Sequence, residues 1–380
     1  MKILMFVKNF LPITQTFIYQ EVTGLAKSNQ VKILTTHREN EARFPFGDVA
    51  IASFSKNTLE HKIRKTLQGW DWEIGFRNFA FSKKIKKCIQ DFNPDVIHTQ
   101  FGWESWILLL NFPIQEKPIF LHFHGFDASH KLLSAKYLKT LKKILNRPDI
   151  TPIFISKTML KAVETKVGKI EKYQILHCGI DIGLFKKVKR NLAKNPFIFL
   201  QVSSFAEKKG HIYTIKAYAE FIKNNPNHNS ILKLAGDGLL LNDMKLLVKS
   251  LNIEQNVEFL GSVTSSEAKE LMDNVHCFLH HSVTSSIGDQ EGIPTAIMEA
   301  MAMELPIIST FHSGIPELVE DGVNGYLVAE KNISQYANRM QDILSWDYIL
   351  ANRTVIDERF EKEKHIDYLV SFYQNELKKD

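Results

Sequence analysis

Short apolar runs alternate with segments of helical period along almost the whole chain. That alternation narrows the fold more than any other feature. Residues 2–7, 31–35, 95–98, 118–122, 150–155 and 173–176 each read as a strand, several of them apolar on both faces. Between them lie segments such as 15–27, with Phe17, Ile18, Val22 and Leu25 at helical spacing, and 132–145, with Leu133, Tyr137, Leu141 and Ile144 on one side. Strands separated by helices imply a parallel sheet wound on both faces. A second series follows, with strands at 197–202, 231–234, 257–260, 277–280, 306–309 and 325–328 and helices at 212–224, 239–251 and 265–273. Between the two series the chain turns polar and basic, through Lys186, Lys187, Lys189, Arg190 and Lys194, and reads as a linker. The expectation is an α/β protein of two doubly wound domains, residues 1–190 and 191–354. A final amphipathic helix, about 355–380, is expected to pack back on the first domain.

Composition removes several classes. A chain of 380 residues with 44% hydrophobic and 24% charged residues has ample core for two globular domains. Cys88, Cys178 and Cys277 are widely separated and form no CxxC pair, which argues against a disulfide framework or a zinc site and suits a reducing cytoplasm. The net charge of +6 is mild and falls on no nucleic-acid motif; it is compatible with anionic lipid or phosphorylated substrates. The apolar core of residues 1–8 is too short for a signal peptide or a membrane span and reads as a first strand. No G-x-G-x-x-G follows that strand, so hydride-transfer chemistry is poorly supported. There is no Asp-x-Asp, and no obligatory metal is expected.

The stretch Gly288 to Ala302 carries the first chemical signal. Glu291 and Glu299 stand eight residues apart, separated by Gly292, Ile293, Pro294 and Thr295 at what reads as a helix start, with Pro294 suited to its first turn. The first N–H groups of a helix lack partners and carry partial positive charge, so they favour an anion. One carboxylate beside that anion site and another farther along the helix could hold two hydroxyl-bearing parts of one ligand, as in a sugar nucleotide. Local sequence admits a capped surface helix with solvated glutamates equally well.

The wider pattern is specific. Glu291-x7-Glu299, Glu299-Ala300-Met301-Ala302, Pro306 to Thr310, Gly314-Ile315-Pro316-Glu317 and Asn324-Gly325-Tyr326 follow one another in the order seen in retaining glycosyltransferases of family 4. Glu207-Lys208-Lys209-Gly210, Gly236-Asp237-Gly238, Phe259-Leu260-Gly261 and Phe123-His124-Gly125-Phe126-Asp127 also match. The chain therefore resembles that family over nearly its whole length. Within it, Pro12–Glu21, His122–Asp127, His177–Asp181 and His312–Glu317 look like the colanic-acid and exopolysaccharide branch. The resemblance implies the GT-B fold, two Rossmann-like domains facing across a cleft, the N-terminal one for the acceptor and the C-terminal one for the donor.

It also implies roles. Lys209, with Lys208 and Gly210, would hold the donor diphosphate; Glu291, with Gly292, Ile293, Pro294 and Thr295, the donor sugar and phosphate; Glu299 the ribose; and Gly236 and Gly261 the nucleotide. His124 would lie near the transferred sugar and the acceptor, with Asp127 a companion and His98 a secondary candidate. The donor would be a UDP- or GDP-sugar. The resemblance implies transfer with retention of configuration by front-side displacement, and no convincing covalent nucleophile is evident for the opposite face. Three departures stand out: Ser204 where many relatives carry an arginine nearby, no glycine in Lys8-Asn9-Phe10-Leu11-Pro12, and Glu304 where relatives usually have a glycine.

On the acceptor side, residues 56–90 mix Lys56, Lys62, Arg64, Lys65, Lys83, Lys84, Lys86 and Lys87 with Trp70, Trp72, Phe76, Phe79 and Phe81, and 131–147 add further lysines. Such helices fit the surface of an anionic membrane and a lipid-linked glycan acceptor. They equally fit solvated faces over a core. A sugar-nucleotide epimerase and a non-catalytic sugar-nucleotide-binding protein are the competing functions on this fold.

Overall fold

A computed structural model of the chain describes residues 1–12, 15–52, 79–110, 117–188, 195–345 and 352–378. They form two compact units, one of Met1–Gly179 with Lys362–Asp380 and one of Ile180–Glu361.

In the first unit the strands are β1 (Lys2–Phe6), β2 (Asn9–Phe10), β3 (Gln30–Thr35), β4 (His37–Arg38), β5 (Val49–Ile51), β6 (Val96–Gln100), β7 (Ile119–Phe123), β8 (Ile150–Phe154) and β9 (Gln174–Ile175). Seven of them make one sheet in the order β5-β3-β1-β6-β7-β8-β9, with every pairing parallel, while β2 and β4 pair separately. β6, β7 and β8 are buried at every position, so even His98, Thr99, Gln100, His122 and Thr151 lie inside. The chain runs outward from β1 to β3 and β5, then returns to lay β6 on the other side of β1. The strand order thus reverses between β1 and β6, and ligands of such sheets bind beyond the strand ends at that reversal.

The helix Lys362–Leu377 belongs to this unit and packs on the helix Thr16–Leu25. The two approach so closely that a Cβ on Gly24 would lie 2.7 Å from the Ile366 side chain. The expected single helix over 355–380 is in fact two: Asn352–Arg359 lies in the second unit and Lys362–Leu377 in the first. Its break at Phe360 and Glu361 is fixed by pairing, for the Ile180 N–H donates to the Phe360 carbonyl at 2.8 Å and Ile180 bridges Glu361. The expected boundaries at 190 and 354 therefore shift to 179/180 and 361/362. The basic stretch begins beyond the crossing, and Phe185 in it is buried; residues 189–194 lie outside the described residues.

The second unit holds β10 (Phe197–Val202), β11 (Ser230–Ala235), β12 (Val257–Gly261), β13 (Cys277–Leu279), β14 (Ile307–Thr310) and β15 (Gly325–Val328). Their order is β12-β11-β10-β13-β14-β15, again parallel throughout. Here the reversal falls between β10 and β13. The helices His211–Asn224 and Ile333–Asp342 pack together over a core that includes Phe199, Leu232, Leu279 and Tyr336. Each half thus has its own sheet and its own reversal point, as the α/β reading requires.

Candidate active site

Lys208, Lys209 and Gly210 close the connection from β10 to the helix His211–Asn224, one side of the reversal in the second unit. Gly210 is left-handed, with φ of 62°, and a Cβ there would sit 1.7 Å from the His281 carbonyl oxygen. Only glycine fits this turn, and the turn sets both lysines. Glu291 lies in the long loop after β13, the other side of the same reversal.

Lys209 Nζ stands 2.8 Å from Glu291 Oε2, and Lys208 Nζ stands 3.0 Å from Asp289 Oδ2 and 3.6 Å from Glu291 Oε1. Glu291 is buried. Burial pushes its carboxyl up, but Lys209 and Lys208 outweigh burial and hold it at about 2. Burial likewise works against the charge on Lys208, and the Glu291 and Asp289 carboxylates raise its pKa in spite of it. The backbone beneath is fixed as well. The Glu291 N–H donates to His312 Nε2 at 3.1 Å, so His312 Nδ1 carries the ring hydrogen and donates to Glu330 Oε1 at 2.6 Å. Glu330 also accepts from the Thr284 N–H at 2.8 Å.

The helix starts at Thr295, with Pro294 as its extended N-cap rather than inside its first turn. No side chain caps it. The N–H groups of Ile293, Thr295 and Ala296 donate to no other group among the described residues. Ile297, Met298, Ala300, Met301 and Ala302 are buried, while Thr295, Ala296 and Glu299 share the half-exposed stripe. Glu299 thus lies one turn along the same face as the free amides. Its carboxyl, pushed up to about 7 by burial, makes no hydrogen bond or ion pair among the described residues. Gly236 (φ 147°) follows β11 and Gly261 (φ 72°) ends β12, and the Gly236 N–H donates to the Gly261 carbonyl at 2.7 Å.

So the structure brings Lys208, Lys209, Glu291 and the start of the Thr295 helix together, with Glu299 on that helix. The direct Lys209–Glu291 contact, and the part of Asp289 and His312, were not legible in the sequence. Asp289 is one more acid in a loop, and His312 shows its role only through distance. Glu304 takes the left-handed conformation that its place past the helix demands, φ 57°, and pairs with Lys187 at 3.2 Å.

In the first unit, His124 follows β7, beside the end of β6. Burial pushes its ring down to about 3. Asp127 differs from the expected role of companion. It is 2% exposed and accepts from the N–H groups of Gly102 (2.6 Å), His124 (3.0 Å) and Gly125 (3.0 Å), so it braces the loop from inside. His98 is fully buried within β6, with Nδ1 on the Tyr373 hydroxyl, and is core rather than a secondary site residue. Glu21, His98 and His122 bring ligand-type atoms within 4.8 Å of one another. Both Glu21 oxygens and both His98 nitrogens already face protein partners, so an ion there would have to displace hydrogen bonds.

Known proteins match the chain along its length. A family model described as Glycosyltransferase Family 4 matches residues 14–184, and one described as Glycosyl transferases group 1 matches residues 184–359. The chain belongs to glycosyltransferase family 4. A family member from Salmonella typhimurium named for colanic acid biosynthesis, WcaL, is 27% identical over 375 residues, 92% of each chain. The amylovoran biosynthesis glycosyltransferase AmsK of Erwinia amylovora is 29% identical over 251 residues, 65% of this chain and 60% of its own. Among solved structures, Anabaena HepE in complex with UDP and glucose superposes with a TM-score of 0.75 at 19% identity over 98% of this chain and 99% of its own. Sucrose-phosphate synthase from Thermosynechococcus elongatus gives 0.77 at 18% identity over the full length of both. These likenesses establish the GT-B fold for this family 4 enzyme.

Proposed function

We propose that this glycosyltransferase moves a sugar, with retention of configuration, from a UDP- or GDP-sugar to a glycan or lipid-linked glycan in cell-surface or exopolysaccharide biosynthesis. The observation that carries the donor half is the meeting of Lys208, Lys209 and Glu291 at a strand-order reversal, beside a helix start whose amides are unpaired. Lys209 and those amides offer preorganised positive charge to a departing diphosphate, while Glu291 accepts from sugar hydroxyls and Glu299 from the ribose. In the reaction the C1–O bond to the diphosphate breaks and a C1–O bond to the acceptor forms on the same face. The acceptor's proton goes to the leaving phosphate. Lys208, Lys209 and the amides supply the charge this step needs, so the reading calls for no divalent ion. Undiminished turnover in chelator checks that.

Relatives support the pathway and the donor class. WcaL and AmsK are named for exopolysaccharides, a 24% identical Escherichia coli relative is a UDP-Gal:alpha-D-GlcNAc-diphosphoundecaprenol alpha-1,3-galactosyltransferase, and HepE has been seen with UDP-glucose. Among the described residues no helix is long and apolar enough to cross a membrane. Lys83, Lys84, Lys86 and Lys87 are exposed on the helix Phe79–Phe92, a basic face that suits a lipid-linked acceptor at an anionic surface. The aromatics at 70, 72 and 76 lie outside the described residues.

The test has two steps. A thermal-shift panel of UDP- and GDP-sugars finds the donor, because binding raises the melting temperature by mass action. NMR of the product then reads the anomer. Acceptor-dependent nucleotide release with a retained anomer is expected. Release without acceptor would point to an epimerase, tight binding without turnover to a binding protein, and an inverted anomer would remove the front-side mechanism.

A further inference from the structure

Beneath His124 runs a line of buried hydrogen bonds drawn from two helices, the end of β6 and the loops that carry His124 and His177. Glu21, on the helix Thr16–Leu25, uses both oxygens: Oε1 accepts from Gln100 Nε2 at 2.6 Å and Oε2 faces His365 Nε2 at 3.0 Å. His365, on the helix Lys362–Leu377, turns Nδ1 to the His177 carbonyl at 2.8 Å. Gln100, the last residue of β6, turns Oε1 to His124 Nε2 at 2.5 Å. The imidazole of His124 lies against Phe17 and Phe101, with ring centroids 5.0 and 4.7 Å away.

Donor and acceptor arithmetic places the hydrogens. A carbonyl oxygen only accepts, so His365 Nδ1 carries a hydrogen. With that nitrogen committed, His365 turns its Nε2 to the Glu21 carboxylate. The carboxylate only accepts, so the Gln100 amide must turn its NH2 toward Glu21 and its oxygen toward His124. The amide oxygen only accepts, so the hydrogen of His124 sits on Nε2 and the lone pair on Nδ1, which is buried without a partner.

We propose that Glu21 is a positioning residue for His124: acting through Gln100, it holds the ring as the neutral Nε2–H tautomer, pinned against Phe17 and Phe101. His124 then serves as a fixed, uncharged wall of the acceptor side, with its one N–H spent inside the protein, and does not donate a proton from Nε2. His365 makes the C-terminal helix part of the support. The consequence for turnover rests on the proposed transfer reaction and on the expected place of His124 near the transferred sugar and the acceptor; the tautomer does not.

The full-length chain labelled with 15N-histidine tests both parts. Imidazole 1H–15N correlation at neutral pH, with His124 assigned by His124→Asn, should show one ring, protonated at Nε2 and bare at Nδ1. Gln100→Leu should lose that single tautomer. Glu21→Gln should keep it, because an amide can still accept from Gln100 while donating to His365. Turnover of Gln100→Leu should fall on the order of tenfold to a hundredfold with the donor KM unchanged, since the donor residues lie in the other unit. Glu21→Gln should recover most of it. A wild-type His124 protonated at Nδ1, or at both nitrogens, overturns the proposal whatever the variants do. So does a folded Gln100→Leu that keeps the single tautomer or the full turnover. If wild type transfers no sugar to any acceptor, the function falls, and the spectra still decide the tautomer.

Discussion

Lys209 Nζ and Glu291 Oε2 meet at 2.8 Å across 82 residues of sequence. Each closes a loop on one side of the β10/β13 reversal, so the pair ties the two loops together before any donor arrives. On the proposed donor reading, a diphosphate approaching Lys209 would compete with the carboxylate that already holds it, and Glu291 would be released toward a sugar hydroxyl as the lysine turns.

Glu291→Gln should make the second unit less stable at neutral pH and hardly change it in strong acid. The folded carboxyl titrates at about 2, below its ordinary value of 4.5, so the stabilisation is complete above 4.5 and is lost as pH falls toward 2. That difference corresponds to on the order of 3 kcal/mol. Melting curves of wild type and variant should separate at pH 7 and converge near pH 2; parallel curves would remove the ion pair from the account.

Glu299 carries the opposite sign. Burial lifts its carboxyl to about 7, so the folded chain favours the protonated form at low pH and is penalised as pH rises from the ordinary carboxyl range through 7. Ribose hydroxyls are held best by the ionised form. The affinity for free UDP or GDP, measured by calorimetry, should therefore weaken as pH drops below about 7 in wild type and stay flat in Glu299→Gln.

Gly210→Ala should fail on steric grounds alone. Its Cβ would overlap the His281 carbonyl, and the left-handed φ adds a further penalty. A loss of about 3 kcal/mol or more, or roughly 10 °C in Tm, is expected, together with loss of nucleotide-induced stabilisation.

Asp127→Ala and His124→Ala should separate structure from function. The first removes the acceptor of three loop N–H groups and should cost about 2–4 kcal/mol in stability as well as activity. The second should leave Tm within a few degrees and abolish transfer while nucleotide affinity holds.

Reversing Lys83, Lys84, Lys86 and Lys87 to glutamate should release the chain from vesicles rich in anionic lipid and leave sugar-nucleotide affinity intact. Each basic residue near such a surface contributes about 1 kcal/mol. Equal co-sedimentation of variant and wild type would set the membrane reading aside.

The two sheets and their order along the chain were legible because buried parallel strands are short, largely apolar runs set between helical segments, as in Ile119–Phe123. The two loops at the β10/β13 reversal were legible because Gly210 and the Glu291–Glu299 spacing answer to local rules of turn and helix start. What could not be read locally was contact. Asp127 looked like a site acid and proved a loop brace, because only the fold shows three amides converging on it. His98 looked like a strand-end histidine and proved core, because Tyr373 reaches it from 275 residues away. The final helix read as one piece because amphipathic period runs through 355–379, while its break is set by pairing with Ile180.

That break has a topological consequence. The chain leaves the first unit at Gly179 and re-enters it at Lys362, and these residues nearly touch: a Cβ on Gly179 would lie 2.8 Å from the Lys362 Cα. Residues 180–361 are thus an insert, entered and left through one doorway. Cut there, the remainder could be sealed by a single peptide bond between neighbours, and the insert would keep its own adjoining ends, Ile180 beside Glu361. On the proposed reading of the second unit as the donor half, it would exchange between relatives as a cassette, with the last helix left behind to complete the unit that keeps it.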